Sequence, residues 1–404
     1  MIDAEGLPSA RIILKPRRAQ PFLARHPWVF AGAIDRVEGD PADGAVVEVY
    51  NATGATIARG LFNSRSKIRV RLYSWTPGEA LDRSFFVRRF REAVALRHEI
   101  LHCNTGPDAA YRLVFSEADR LSGLVVDRYG DWLTMQFTSL ALAMRRDMIA
   151  AILQELLPVR GIYLRTERGI GALEGLELQD GPLCGKTPPP EIIITEHQGL
   201  RFAVNLTEGQ KTGYYLDQRD NRAAVMRLAA GRRVLDAFSY SGGFGVYAAK
   251  GGACDVLCLD ASEAALNLAK RNAILNGLGV IRTQTADVFT ALEELDRTGQ
   301  RYDLIILDPP KFARNRAAIP RALQGYRTLH QRALNLLEAD GILVSCCCTG
   351  LITQEMLEDL LAQVAGDARR DLQILERRGP AADHPVAISC RESSYLKCII
   401  SRVV

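Results

Sequence analysis

Apolar and polar positions along the chain fall into three rhythms. Between residues 11 and 75, short apolar runs are broken by Gly, Asp and Pro: A-V-V-E-V-Y at 45–50, A-T-I-A-R-G-L-F at 55–62 and K-I-R-V-R-L-Y at 67–73. No helical period intervenes, which predicts a small β-barrel-like module. Next, Phe86, Phe90, Val94 and Leu101 recur at helical spacing across 84–101. Gly123 to Leu133 reads as a hairpin turning at Tyr129–Asp131, and 139–157 as a second helix. Lys186-Thr187-Pro188-Pro189-Pro190 punctuates the end of this stretch. From Ile192 onward, apolar runs at 234–238, 255–260, 302–308 and 341–346 are strand-like, and helical patterns follow the first two at 244–250 and 262–276. That alternation predicts an α/β domain with a doubly wound, mostly parallel sheet. The expected division is 1–76, a β module; 77–190, a small central α+β domain; and 191–404, the doubly wound domain.

Such sheets bind ligands beyond the carboxyl ends of their strands. Asp236, Asp260 and Asp308 fall at three of those ends, and three consecutive cysteines, Cys346 to Cys348, at a fourth. Asp236 opens D-A-F-S-Y-S-G-G-F-G, where Gly242, Gly243 and Gly245 permit close backbone approach to a ligand. Neither G-x-G-x-x-G nor the full G-x-x-x-x-G-K-[ST] occurs, so dinucleotides and triphosphates are not the natural ligands. A carboxylate at Asp236 suits an ammonium, one at Asp260 suits ribose hydroxyls, and Asp287 suits an adenine amine. Together they point to S-adenosylmethionine. L-D-P-P-K-F (307–312) sets a carboxylate and a stiff, donor-poor turn beside that site, an array fit to hold a flipped base. A thiolate from Cys346, Cys347 or Cys348 could add to carbon 6 of a pyrimidine and so activate carbon 5. Each cysteine taken singly is as readily an inert core residue.

Composition narrows the class. The chain has 404 residues, 48% hydrophobic and 24% charged, which excludes a disordered or fibrous protein. No run of 18 apolar residues occurs and the first residues do not read as a signal peptide, so no membrane partner is expected. Nine scattered Cys without a C-x-x-C pair argue against a disulfide framework and for the cytoplasm. Six His without ligand spacing give no metal site, and His384 is the one to examine near the active site. The formal net charge is +4. Residues 1–75 hold eleven Lys/Arg against seven Asp/Glu, so the excess is all there and the rest of the chain balances. Lys67, Arg69 and Arg71 alternate with Ile68, Val70 and Leu72, with no acidic residue from Val49 to Gly78. Period 2 sets the three cations on one face, as expected of a polyanion-binding surface.

Several motifs carry a family resemblance: R-H-P-W-V-F-A-G-A-I (25–34), G-L-V-V-D-R-Y-G-D (123–131), N-L-T-E-G-Q-K-T-G-Y-Y-L-D-Q-R-D-N-R (205–222), D-A-F-S-Y-S-G-G-F, D-P-P-K-F and A-D-H-P (382–385). The chain resembles the bacterial PUA-domain-containing 23S ribosomal RNA 5-methylcytosine methyltransferases, of class I S-adenosylmethionine-dependent type, over nearly its whole length. The resemblance implies a PUA-like module that binds 23S rRNA through Arg25, Arg65, Lys67, Arg69 and Arg71, with Lys311 near the site. Gln210, Tyr215, Asp217 and Arg219 would close over the cofactor. Asp236, Phe238, Tyr240, Ser241, Gly242 and Gly243 would line its methionine side. Asp260 and Asp287 would take ribose and adenine, and Asp308 would orient the cytosine. The family's C-[ST]-G pattern selects Cys348 as nucleophile, with Cys346 and Cys347 the alternatives. The resemblance also allows a homodimer, which no residue pattern here establishes.

Two other functions compete. D-P-P with an aromatic two positions on, Phe312, also suits guanine N-methylation, although Lys311 and the cysteine run weigh against it. An RNA-binding assembly factor with a non-catalytic methyltransferase fold would keep the basic module but need no cofactor.

Overall fold

The computed structural model describes residues 8–166, 169–209 and 212–404. The chain divides into two compact units. The first comprises Met1–Ile194, Val204–Leu216 and Ala382–Ser393, and the second Thr195–Ala203, Asp217–Ala381 and Ser394–Val404.

The first unit holds two sheets. One has six strands in the spatial order Trp28–Phe30, Ile68–Ser74, Thr56–Phe62, Val46–Tyr50, Ala10–Leu14 and Ile34–Glu38. Ile12, Leu14, Val29, Val47, Val49, Val70 and Leu72 fill its core. The other runs Gly181–Gly185, Gly161–Arg165, Trp132–Phe137, Leu124–Tyr129 and Ala110–Phe115. The helix Arg83–Ala95 packs its Phe85, Phe86, Phe90 and Ala93 into the core of this second sheet. It starts where the Asp82 carboxylate accepts the Phe85 amide at 2.9 Å, an N-cap. The helix expected over 139–157 is two, Leu140–Ala143 and Arg146–Leu156. They part at Arg145, whose guanidinium turns to the carbonyls of Ala141 and Gly44 at 2.9 Å each.

The second unit is built on seven strands: β1 (Arg233–Ala237), β2 (Asp255–Asp260), β3 (Ile281–Thr285), β4 (Tyr302–Leu307), β5 (Leu337–Cys347), β6 (Leu372–Arg378) and β7 (Lys397–Val403). Their spatial order is β3-β2-β1-β4-β5-β7-β6. The first five are parallel, as the strand–helix alternation predicts, and β7 runs antiparallel to both its neighbours. Both faces are covered. Along β4, Tyr302, Ile305 and Leu307 enter one apolar core, and Leu304 and Ile306 the other. Order reverses between β1 and β4, which opens a crevice at their carboxyl ends. Asp236 and Asp308 lie there.

Candidate active site

The turn after β1 is strained. Phe238 and Tyr240 have φ of 62° and 48°, a left-handed region that bulky residues avoid. The turn is held by its neighbours: the Tyr240 amide donates to Asp260 Oδ2 at 2.9 Å, and the Asn272 side chain donates to the Ser241 carbonyl at 2.9 Å. Gly242 and Gly243 are buried, and the reason for glycine differs from the expected approach of a ligand. A Cβ at Gly242 would lie 2.9 Å from Ala269 Cβ, and one at Gly243 would lie 2.6 Å from Arg222 Nε. The protein itself fills the space that side chains there would need.

Asp236 is buried. Its Oδ2 accepts the Gly245 amide at 2.8 Å, and its Oδ1 has no hydrogen-bond partner among the described residues. Burial, reinforced by the carboxylates of Asp308 and Asp260, pushes its pKa up to about 7. A buried carboxyl with an open oxygen is a site for a cation. Asp260, at the end of β2, also accepts the Ser262 amide at 2.9 Å and keeps acceptor capacity for hydroxyls. Asp287 is exposed and caps the helix Val288–Arg297, its Oδ1 accepting the Thr290 amide at 3.0 Å. Its other oxygen is available to an amine. Asp308 Oδ2 accepts the Gln218 side-chain amide at 3.0 Å. Gln218 lies within the quoted 205–222 motif, yet nothing in the sequence singles it out. Arg219 and Asp217 frame it. Asp217 is buried and accepts the Tyr395 hydroxyl, while Arg219 begins the helix Arg219–Met226. Tyr215 lies in the segment belonging to the first unit, and Gln210 lies outside the described residues.

The three cysteines separate cleanly. Cys346 and Cys347 end β5 and, by period-2 alternation, enter opposite cores. Both are fully buried, so Cys346 and Cys347, the expected alternative nucleophiles, are placed as core residues. The adjacent Cys398 thiol and burial push the Cys346 thiol well above its ordinary value. Cys348 follows the last residue of β5, is half-buried, and places its sulfur 3.7 Å from the Pro309 carbonyl of D-P-P-K-F. An aromatic row, Phe238–Phe289–Phe312–Tyr326, packs beside that turn, with centroids 6.4, 6.3 and 4.7 Å apart.

The basic face changes membership. Lys67 and Arg25 are exposed, and Arg65 is exposed 3.6 Å from Asp43. Arg69 is half-buried on the Asn63 carbonyl. Arg71 is buried and reaches Glu117 at 3.3 Å and Glu174 at 3.4 Å, so it is not a surface cation. Its acidic partners come from the central region, beyond the reach of a local charge count. Lys311 is exposed in the second unit. His384 belongs to the first unit, buried against Phe115 and bonded to Asp383, so it is a structural histidine.

Residues 185–390 match the family described as S-adenosylmethionine-dependent methyltransferase, and residues 12–75 the PUA-like domain. The chain is 43% identical to ribosomal RNA large subunit methyltransferase I of Tolumonas auensis, over 98% of this chain and 100% of that one. The chain belongs to the S-adenosylmethionine-dependent methyltransferase family. The protein of the same description from Aeromonas hydrophila is 42% identical over 98% of this chain and 99% of its own. In fold, the chain matches a methyltransferase complexed with SAH, with a TM-score of 0.85, 23% identity, and 97% and 99% of the two chains covered. The fold is therefore class I with an N-terminal PUA-like domain, and the cofactor is S-adenosylmethionine. The residues present fit it: an open buried carboxylate oxygen at Asp236 for the ammonium, spare acceptors at Asp260 for ribose, and an exposed oxygen at Asp287 for adenine.

Proposed function

We propose that this chain methylates carbon 5 of a cytosine in 23S ribosomal RNA, through a covalent bond between Cys348 and the base. The substrate class rests on the relatives named for large-subunit ribosomal RNA. The covalent route rests on one observation: of three consecutive thiols, two are packed into the cores and the third lies beyond the strand, against the D-P-P turn. On this reading residues 1–76 hold RNA phosphates, 77–190 support them, and 191–404 receive the unstacked base. The nine free thiols suit a reducing cytoplasm.

S-adenosylmethionine, when bound, supplies an electrophilic methyl group. Asp308, held by Gln218, orients the amino edge of the cytosine, and Asp236 holds the cofactor's ammonium. The Cys348 thiolate adds to carbon 6, which makes carbon 5 nucleophilic. After methylation a base removes the carbon 5 proton, the double bond re-forms, and the sulfur departs. No Cys follows Pro310 to assist that release. Guanine N-methylation fits less well, because Phe312 is engaged in the aromatic row.

Cys348→Ser should lower carbon 5 methylation of rRNA by more than about a thousandfold while cofactor binding persists. RNA carrying 5-fluorocytosine should form a gel-stable adduct with wild type and none with the variant. Methylation by Cys348→Ser at the wild-type rate would end the covalent reading, and mass spectrometry showing methylguanine would replace it.

A further inference from the structure

One buried cation has no place in the scheme above. Lys397 opens β7, directly across the sheet from Cys347. It is 6% exposed. Its ammonium donates to the Thr349 carbonyl at 2.8 Å and to the Tyr395 carbonyl at 2.9 Å. Lysine is rarely buried without a carboxylate, because an ammonium loses hydration that neutral carbonyls replace only in part. Among the described residues Lys397 makes no ion pair. The ionisable groups that bear on it are the thiols of Cys347 and Cys348. Thr349 is the residue after Cys348, so the ammonium is pinned to the backbone that carries the thiol.

We propose that Lys397 is a positioning residue for the nucleophile, fixing the Cys348–Thr349 backbone and stabilising the ionised sulfur of Cys348. This rests on Cys348 being the nucleophile. The other described groups named around this segment are neutral or acidic. The Tyr326 hydroxyl lies 3.5 Å from Thr349 Oγ1, and burial keeps it protonated. His330 is buried, its pKa pushed down to about 4, and it faces Ser345. Cys346 packs beside Cys398 in one core, where its own thiol is pushed well up, Cys347 packs in the other core, and Tyr395 is bonded to Asp217. Asp308 adds negative charge, which opposes ionisation. Of these groups Lys397 is the one cation, and burial strengthens its field by excluding water. Burial also pushes its own pKa down, while the two thiols pull it up.

Alkylation of the full-length protein by iodoacetamide, followed by peptide mass spectrometry at each pH, reads the thiolate at Cys348 without RNA or methyl transfer. In wild type the Cys348 midpoint should lie below that of the exposed Cys254, an internal reference within the same molecule. In Lys397→Met it should move up by about one pH unit, so that alkylation at neutral pH slows about tenfold. Lys397→Arg should restore most of the rate, and kcat should follow the same order with KM for RNA unchanged. A Lys397→Met profile that superimposes on wild type overturns the proposal. So does a wild-type midpoint at or above that of Cys254, a result that requires no variant to fold. Neither result touches the Cys348→Ser experiment, so failure here and failure of the covalent reading are told apart.

Discussion

Asp236 shows how one residue couples site chemistry to stability. The folded protein keeps its proton up to about pH 7, whereas an exposed aspartate releases it near 3.8. The raised value means that its contribution to stability is full below about pH 4 and is lost as pH rises through 7. The stability of cofactor-free Asp236→Asn relative to wild type should therefore improve between pH 4 and 8, by on the order of 3 kcal/mol, read from denaturant melts at each pH. A gap that stays constant with pH removes the assignment. Cofactor binding should call for the ionised form, so the wild-type Kd should weaken about fivefold from pH 7 to pH 6 by calorimetry. The sequence made Asp236, Asp260 and Asp308 legible because each stands at the end of an apolar strand, whereas Asp287 follows the polar strand Ile281–Thr285. Gln218 and Lys397 were not legible: their partners, Asp308 and Thr349, lie 90 and 48 residues away and are brought near only by the tertiary fold.

At the scale of elements, strand ends explain more than motifs do. β5 runs through two of the three cysteines, and the period of 2 sends them to opposite cores. A pattern of letters cannot give that outcome until the last residue of the strand is known. The glycine turn is similar. It was expected to clear room for a ligand, but Gly245 faces Cys258 Sγ, 2.5 Å from where a Cβ would stand, with Asp236 Oδ2 at 3.3 Å. Gly245→Ala should cost about 1–3 kcal/mol of stability through overpacking, measured as a lower melting temperature in the absence of cofactor. An unchanged melting temperature would mean that the turn is looser than these distances imply. Four of the parallel strands, β1, β2, β4 and β5, were readable as apolar runs, but β3 was not, its I-R-T-Q-T being mostly polar. β6 was not, because it is an edge strand with alternating exposure, and neither was β7, whose role depends on pairing with β5.

For the whole molecule, the position of charge matters more than its sum. The basic excess of residues 1–75 was legible, but not which cations reach solvent. Arg71→Ala should destabilise the protein by about 3–5 kcal/mol, since it leaves Glu117 and Glu174 buried beside a missing partner. Lys67→Ala with Arg69→Ala should leave the melting temperature almost unchanged. It should also flatten the dependence of RNA affinity on salt, by a slope of about two for two phosphate contacts. An unchanged slope would remove the module from the RNA interface, and a stable, weakly binding Arg71→Ala would return Arg71 to it.

The A-D-H-P segment carries a different kind of consequence. Arg97 is fully buried in the first unit, paired with Asp119 and donating to the Asp383 carbonyl at 2.8 Å, while the Asp383 carboxylate accepts the Arg112 amide at 2.9 Å. These partners are separated by 286 and 271 residues of sequence. A chain emerging from the ribosome in order can therefore shape the first two sheets early but must wait for residue 383 before Arg97 is satisfied. The N-terminal half is finished by a piece of the C-terminal half, which ties maturation of the first unit to synthesis of nearly the entire second one.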